Sequence, residues 1–198
     1  MHGAGVGVDL DLADGAAVRK HRIVHLVVGH DRDAVRELGR KRVAARLLRE
    51  LEIDRETGDL EIVHYVSVDD VGRCINPLIV EGQTHGAIAQ GVGQAIGEAC
   101  HLDPDTGQPL AGSLLDYGLP RAHNLPPFVT EIVEVLSPTN PLGIKAGGEG
   151  GTTAAPAAVI GAVVDALRDY GVTDIKMPAT PYAIWRAMQQ APAQGPSR

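Results

Sequence analysis

Hydrophobic and polar positions alternate along residues 60–69. Leu60, Ile62, His64, Val66 and Val68 fall on one side of an extended chain, and Glu61, Val63, Tyr65, Ser67 and Asp69 on the other. A period of two predicts a strand with one strongly apolar face, and it places His64 on that face as a packed histidine. Leu51-Glu52-Ile53-Asp54 alternates just upstream, and Asp54-Arg55-Glu56-Thr57-Gly58-Asp59 joins the two runs. Gly58 suits the left-handed position of a short hairpin loop.

The period then lengthens. Asn76-Pro77 reads as a helix start, with Asn as N-cap and Pro in the first turn. The segment LIVEGQTHGAIAQGVGQAIGEAC follows, with Ile88, Val92 and Ile96 four residues apart. Gly82, Gly86, Gly91, Gly93 and Gly97 interrupt it. Each interior glycine costs about 1 kcal/mol relative to alanine, so the series needs a reason. One is tight packing of the helix on a neighbour. The other is a cofactor against the glycine face, with the Gln83 and Gln90 amides as donors and acceptors.

Residues 101–127 are loop-rich, and Phe128–Leu136 is a β-branched run that predicts a strand. Ser137-Pro138-Thr139-Asn140-Pro141 ends it. Val159, Ile160, Val163, Val164 and Leu167 form the apolar stripe of a further helix, with Thr152 or Thr153 suited to cap it and Gly171 to end it. A short helix from Pro181 to Gln189 follows, then a frayed tail, APAQGPSR. Upstream, 33–50 suits a basic helix with Val35, Leu38, Val43 and Leu47 roughly on one side. The expected class is α+β: a β-hairpin-containing sheet packed with a long Gly-rich helix and C-terminal helices.

Composition narrows the function. Of 198 residues, 44% are hydrophobic and 22% charged, as in an ordinary globular protein. No apolar run is long enough to predict a membrane span, and the N-terminus lacks the basic and apolar regions of a secretory signal. A net charge of -7 argues against a nucleic-acid surface. Cys74 and Cys100 are too few for an iron–sulfur cluster and read as reduced cytosolic thiols, so a cytoplasmic location is expected. The charge is uneven. Residues 1–50 carry ten Lys/Arg against seven Asp/Glu, and 51–198 carry eight against eighteen. No aromatic precedes Tyr65, and aromatics dominate core energetics. Residues 1–48 therefore read as a poorly specified basic segment, or else as a docking arm for an acidic partner. Residues 49–190 form the domain, and 191–198 a flexible tail.

The candidate chemistry lies in Gly143-Ile144-Lys145-Ala146-Gly147-Gly148-Glu149-Gly150-Gly151-Thr152-Thr153. This loop lacks the Gly-Lys-Ser/Thr of a P-loop, and no G-x-G-x-x-G follows a clear strand. Its distinctive feature is one carboxylate, Glu149, with two glycines on each side. Such a carboxylate reaches a bound substrate with little steric competition and suits a general base. The plain alternative is a solvated turn glutamate.

Four motifs stand in order: VSVDDVGRCINPLIVEGQ at 66–83, GQTHGAIAQGVGQAIGE at 82–98, LLDYGLPRAHNLPPF at 114–128 and PTNPLGIKAGGEGGTTAAPAAVIGAVVDAL at 138–167. Together they resemble the C-terminal part of the molybdopterin-binding large subunit of the xanthine dehydrogenase family. That family includes aldehyde oxidoreductases and aerobic carbon monoxide dehydrogenases. The resemblance covers roughly residues 49–190. It implies that Glu149 is the active-site glutamate beside the molybdenum, acting as general base in the hydroxylation. It implies that Gln83 hydrogen-bonds the pterin cofactor and that Gly147 and Gly148 let Glu149 approach the metal. Gln90 and Lys145 match motif positions, Lys145 with a structural role, and Asp116 and Tyr117 match an architectural signature. No residue of this chain is expected to ligate metal. Ala146 and Gly147 stand where the family often shows Gly and Val, and Ala154 where Gly is frequent.

The implied cofactor is molybdopterin, as molybdenum–pterin cytosine dinucleotide, with iron–sulfur clusters and FAD only on partner subunits. The implied partners are the remaining part of the large subunit, an iron–sulfur subunit, an FAD subunit and a small-molecule substrate, with no nucleic acid and no membrane. The implied substrate is an aldehyde, an N-heterocycle or a similar small molecule. The family builds its site with upstream domains as well, which makes this chain alone incomplete. Two readings follow: a portion of a molybdenum hydroxylase that works with the missing part supplied, or an inactive remnant or non-catalytic interaction module.

Overall fold

A computed structural model of the chain describes residues 22–27 and 45–190. The expectations for the basic segment before residue 45, apart from 22–27, and for the tail after 190 lie outside the described residues. Among the described residues four strands, β1 (Arg22–Val27), β2 (Ala45–Asp54), β3 (Leu60–Asp70) and β4 (Phe128–Val133), form one sheet in sequence order. β1 and β2 pair antiparallel, as do β2 and β3, whereas β4 lies parallel to β3. A parallel neighbour requires a crossover connection, and the long helix α1 (Pro77–Ile96) belongs to it. Helices α2 (Gly150–Ala166) and α3 (Pro181–Gln190) complete the α+β architecture. α1 and α2 pack on each other, and α2 lies over β2. The core forms between them, from Leu51, Ile53, Ile62 and Tyr65 on the sheet and Ile88, Val92, Val159 and Val163 on the helices.

The hairpin follows its sequence closely. Asp54 Oδ1 accepts from the Glu56 and Thr57 amides at 2.8 and 3.1 Å, and the Gly58 amide donates to the Asp54 carbonyl at 2.8 Å. Gly58 takes φ +76, and a Cβ there would stand 2.1 Å from the Pro181 carbonyl oxygen. Glycine is thus required twice, by the turn and by the seating of α3. The same turn recurs at Asp103-Pro104-Asp105-Thr106-Gly107-Gln108. There Asp103 Oδ1 accepts from Asp105 and Thr106, and Gly107 takes φ +70. The hydroxyl and amide of Thr106 outweigh the opposing effect of desolvation and hold the Asp103 carboxyl below its ordinary value.

Two expectations are corrected. The alternation on β3 does not keep one face. Glu50 pairs with His64 and Leu51 with Ile62, so Val63 is an extra residue, a β-bulge. Beyond it the inward face shifts by one position: Tyr65, Ser67 and Asp69 are buried, and His64 is exposed. Residues 45–50, the end of the segment expected as a basic helix, are strand, with Ala45 opposite Asp69 in the ladder. Pairing along β3 satisfies every second backbone group there and overrides the weak helical spacing.

Candidate functional site

α1 begins as its sequence requires: Asn76 Oδ1 accepts from the Ile79 amide at 3.3 Å, and Pro77 occupies the first turn. Its five glycines divide into two groups. A Cβ on Gly91 would lie 2.7 Å from the Ala155 Cβ, and one on Gly93 would lie 2.8 Å from Pro120. Gly97 is the C-cap of the helix. These three serve packing and termination. Gly82 and Gly86 instead face open space, with nothing within 4 Å of a Cβ at either. Leu78, Ile79, Gly82, Gln83 and Gly86 are all exposed. At helical spacing they form one stripe along the first turns of α1.

α2 meets α1 at its own N-terminus. A Cβ on Gly151 would stand 2.9 Å from both the Ile88 nitrogen and the Thr84 carbonyl oxygen. The Thr152 hydroxyl donates to the Ala87 carbonyl at 3.1 Å and reaches Gln90 Oε1 at 3.4 Å. Gln90 therefore faces α2. The junction seats Gly151, two residues after Glu149, against the backbone of Thr84, the residue after Gln83.

Glu149 itself is the N-cap position of α2, where the sequence pattern alone points to Thr152 or Thr153. Those threonines lie inside the first turn, where the Thr153 hydroxyl and amide both donate to the Glu149 carbonyl at 3.0 Å. The Glu149 side chain makes no capping bond and is exposed. Gly148 beside it is exposed, with nothing within 4 Å of a Cβ, whereas Gly147 rests over Val71, where a Cβ would be 3.0 Å from Cγ1.

The loop leading to Glu149 is laid along residues 69–73. Gly72 bridges to Ile144, the Lys145 amide donates to the Val71 carbonyl at 2.9 Å, and the Arg73 amide donates to the Gly143 carbonyl at 2.9 Å. The Lys145 ammonium pairs with Asp70 Oδ2, while Asp70 Oδ1 accepts from the Gly72 and Val135 amides at 2.9 and 3.1 Å. Burial works to raise the Asp70 carboxyl, but the Lys145 hydrogen bond, the two amides and the Lys145 charge together hold it below its ordinary value. On the other face of β3, buried Asp69 accepts the Ser67 hydroxyl at 2.7 Å, and its Oδ1 would lie 3.2 Å from a Cβ on Gly150. No sequence motif marks Asp69 and Asp70; the available signal is a carboxylate pair ending a strand two positions before Gly72.

The 113–120 segment docks on the far end of α1. The Tyr117 hydroxyl donates to Glu98 Oε2 at 2.9 Å, and Asp116 accepts from the Ser113 hydroxyl at 2.9 Å. The Glu98 hydrogen bond, then desolvation and nearby negative charge, push the Tyr117 phenol above its ordinary value.

A family model described as the molybdopterin cofactor-binding domain matches residues 41–126. The chain is 36% identical over 140 residues to the carbon monoxide dehydrogenase large chain of Hydrogenophaga pseudoflava, covering 71% of this chain and 17% of that one. It is 40% identical over 137 residues to the nicotine 6-hydroxylase large subunit of Paenarthrobacter nicotinovorans, covering 69% and 17%. The crystal structure of quinoline 2-oxidoreductase from Pseudomonas putida 86 superposes with a TM-score of 0.68 at 38% identity, over 74% of this chain and 18% of that one. The chain belongs to the xanthine dehydrogenase family of molybdopterin-binding subunits.

It spans about 17% of the length of these curated relatives. The family match begins at residue 41, and β2 begins at Ala45. The residues present suit the molybdopterin group. Gly82, Gly86 and Gly148 leave side-chain-free surface that a Cβ would fill, and Gln83 offers an amide donor and acceptor between the two helical glycines. Among the described residues no group of three or more His, Cys, Asp and Glu side chains is placed to hold a metal ion. No described helix is long and apolar enough to cross a membrane.

Proposed function

We propose that this chain supplies the general base and one wall of the cofactor cradle of a molybdenum hydroxylase. The substrate would be an aldehyde, an N-heterocycle or a similar small molecule. Glu149 is the observation that carries the reading. It is a carboxylate with no capping duty, on a loop stripped of neighbouring side chains and anchored on both sides. Its role is to accept a proton from the oxygen nucleophile that attacks the electron-poor carbon of the substrate. The molybdenum cofactor, in its cytosine dinucleotide form, supplies the redox centre that takes up the two electrons. Gln83 hydrogen-bonds the pterin, and Gly147 and Gly148 keep the approach to Glu149 clear. The carbon monoxide dehydrogenase and nicotine hydroxylase relatives support the reaction class.

The remaining part of the large subunit covers the exposed apolar surface around the site. Ile75, Leu78 and Ile79 are 65%, 79% and 61% exposed, and Leu142 is 60% exposed. Apolar surface grouped in this way marks a protein contact. Iron–sulfur and FAD subunits carry the electrons away, and the assembly is cytoplasmic. The test is molybdenum and pterin analysis of the chain purified alone and after co-expression with the remaining part of the large subunit. Stoichiometric molybdenum on co-expression, reduced in Gln83→Ala, is expected. Absence of molybdenum under both conditions would overturn the proposal.

A further inference from the structure

The loop that carries Glu149 has Gly143, Gly147, Gly148, Gly150 and Gly151 within nine positions. Glycine loses more conformational freedom on ordering than any other residue, so such a loop holds a side chain in one place only if it is tied down from outside. Three contacts tie its front to the end of β3: the Arg73 amide on the Gly143 carbonyl and the Lys145 amide on the Val71 carbonyl, which together make the Gly72–Ile144 bridge, and the Lys145 ammonium on Asp70. Only the last is made by side chains. At the back, Gly151 is wedged against α1 and Gly150 sits over Asp69. Gly148 is the open link between these anchors, and Glu149 is tied on the α2 side alone, by the Thr153 amide and hydroxyl on its carbonyl.

Asp70 is built for the task. Its side chain is 11% exposed, and three donors converge on it: Lys145, the Gly72 amide and the Val135 amide. It thereby joins the end of β3, the segment after β4 and the glycine loop at one carboxylate. We propose that Asp70 and Lys145 are positioning residues for Glu149, a charged clamp that fixes the front of the glycine loop so that the carboxylate is presented at a constant place. The inference rests on Glu149 being the working carboxylate, but the clamp is testable without turnover.

The experiment is amide hydrogen exchange on the full chain, comparing the parent with Lys145→Met, Lys145→Arg and Asp70→Asn. In Lys145→Met and Asp70→Asn the amides of residue 145 and of Arg73, which hold the loop to the end of β3, should exchange about tenfold faster or more, the scale of one lost charge-assisted hydrogen bond. Exchange in β3 and α1 should stay at the parent rate, and Lys145→Arg should restore protection of the loop. Unchanged loop exchange in Lys145→Met would overturn the clamp. So would acceleration spread evenly over β3 and α1, because the pair would then be a general stabiliser. Glu149→Gln separates the two proposals. If it leaves turnover of the assembled enzyme intact while Lys145→Met frees the loop, the base assignment fails and the clamp stands.

Discussion

Gly151 lies directly on the backbone of Ile88: a Cβ on the glycine would stand 2.9 Å from the Ile88 nitrogen. The contact joins the start of α2 to the middle of α1 and sets the separation of the elements that carry Glu149 and Gln83. Because the opposing atoms are backbone, they have little room to yield. Gly151→Ala is expected to destabilise the chain by about 1–3 kcal/mol, the usual cost of overpacking a tight contact. Gly161→Ala is the control. That glycine is exposed within α2 with nothing within 4 Å, and its replacement should stabilise by about 0.5–1 kcal/mol. Urea denaturation of both variants measures the difference, and equal midpoints would contradict the packing account.

Gly86 poses the opposite case. It lies inside α1 yet has nothing within 4 Å, so Gly86→Ala should stabilise the chain alone by about 0.5–1 kcal/mol. If the open stripe receives the pterin or the rest of the subunit, the same change should lower molybdenum content after co-expression. Full molybdenum loading in Gly86→Ala would remove the stripe from the site.

The Asp70 clamp has a pH signature. Its carboxyl is held below the ordinary 3.8 in the folded chain, so the folded state binds its proton less readily than the unfolded state. The resulting stabilisation is fully present above the ordinary carboxyl range and is lost as pH falls through the depressed value. A carbon-detected titration should give Asp70 a midpoint below 3.8, and Asp70→Asn should flatten the acid limb of the stability profile. A midpoint at or above 3.8 would show that Lys145 and the two amides do not together outweigh burial.

Much of this architecture was legible in local grammar. Gly58 in its turn, Asn76-Pro77 at the start of α1, the Val159–Val163 stripe and the glycine loop each follow from rules spanning a few residues. The bulge at Val63 was not legible, because the extra residue is defined only by β2 across the ladder. Period-2 reasoning therefore carried His64 inward and left Ser67 and Asp69 outside. The strand character of 45–50 was hidden for the same reason: its partner is distant in sequence. At the site, Glu149 stood out because glycines isolate it. The part played by Asp70 depends on donors at Gly72, Val135 and Lys145, up to 75 residues away. The split of the α1 glycines into a packed group and an open one likewise needs α2 and Pro120 in place.

The most direct test of the central claim is turnover of Glu149→Gln in the assembled enzyme, measured alongside its molybdenum content. The Glu149 side chain is exposed and makes no capping bond, so folding and molybdenum loading should match the parent. Loss of a general base should lower turnover by roughly 10²–10⁴-fold. Full molybdenum with that loss is the predicted result; full molybdenum with parental turnover would contradict the assignment of Glu149 as the base.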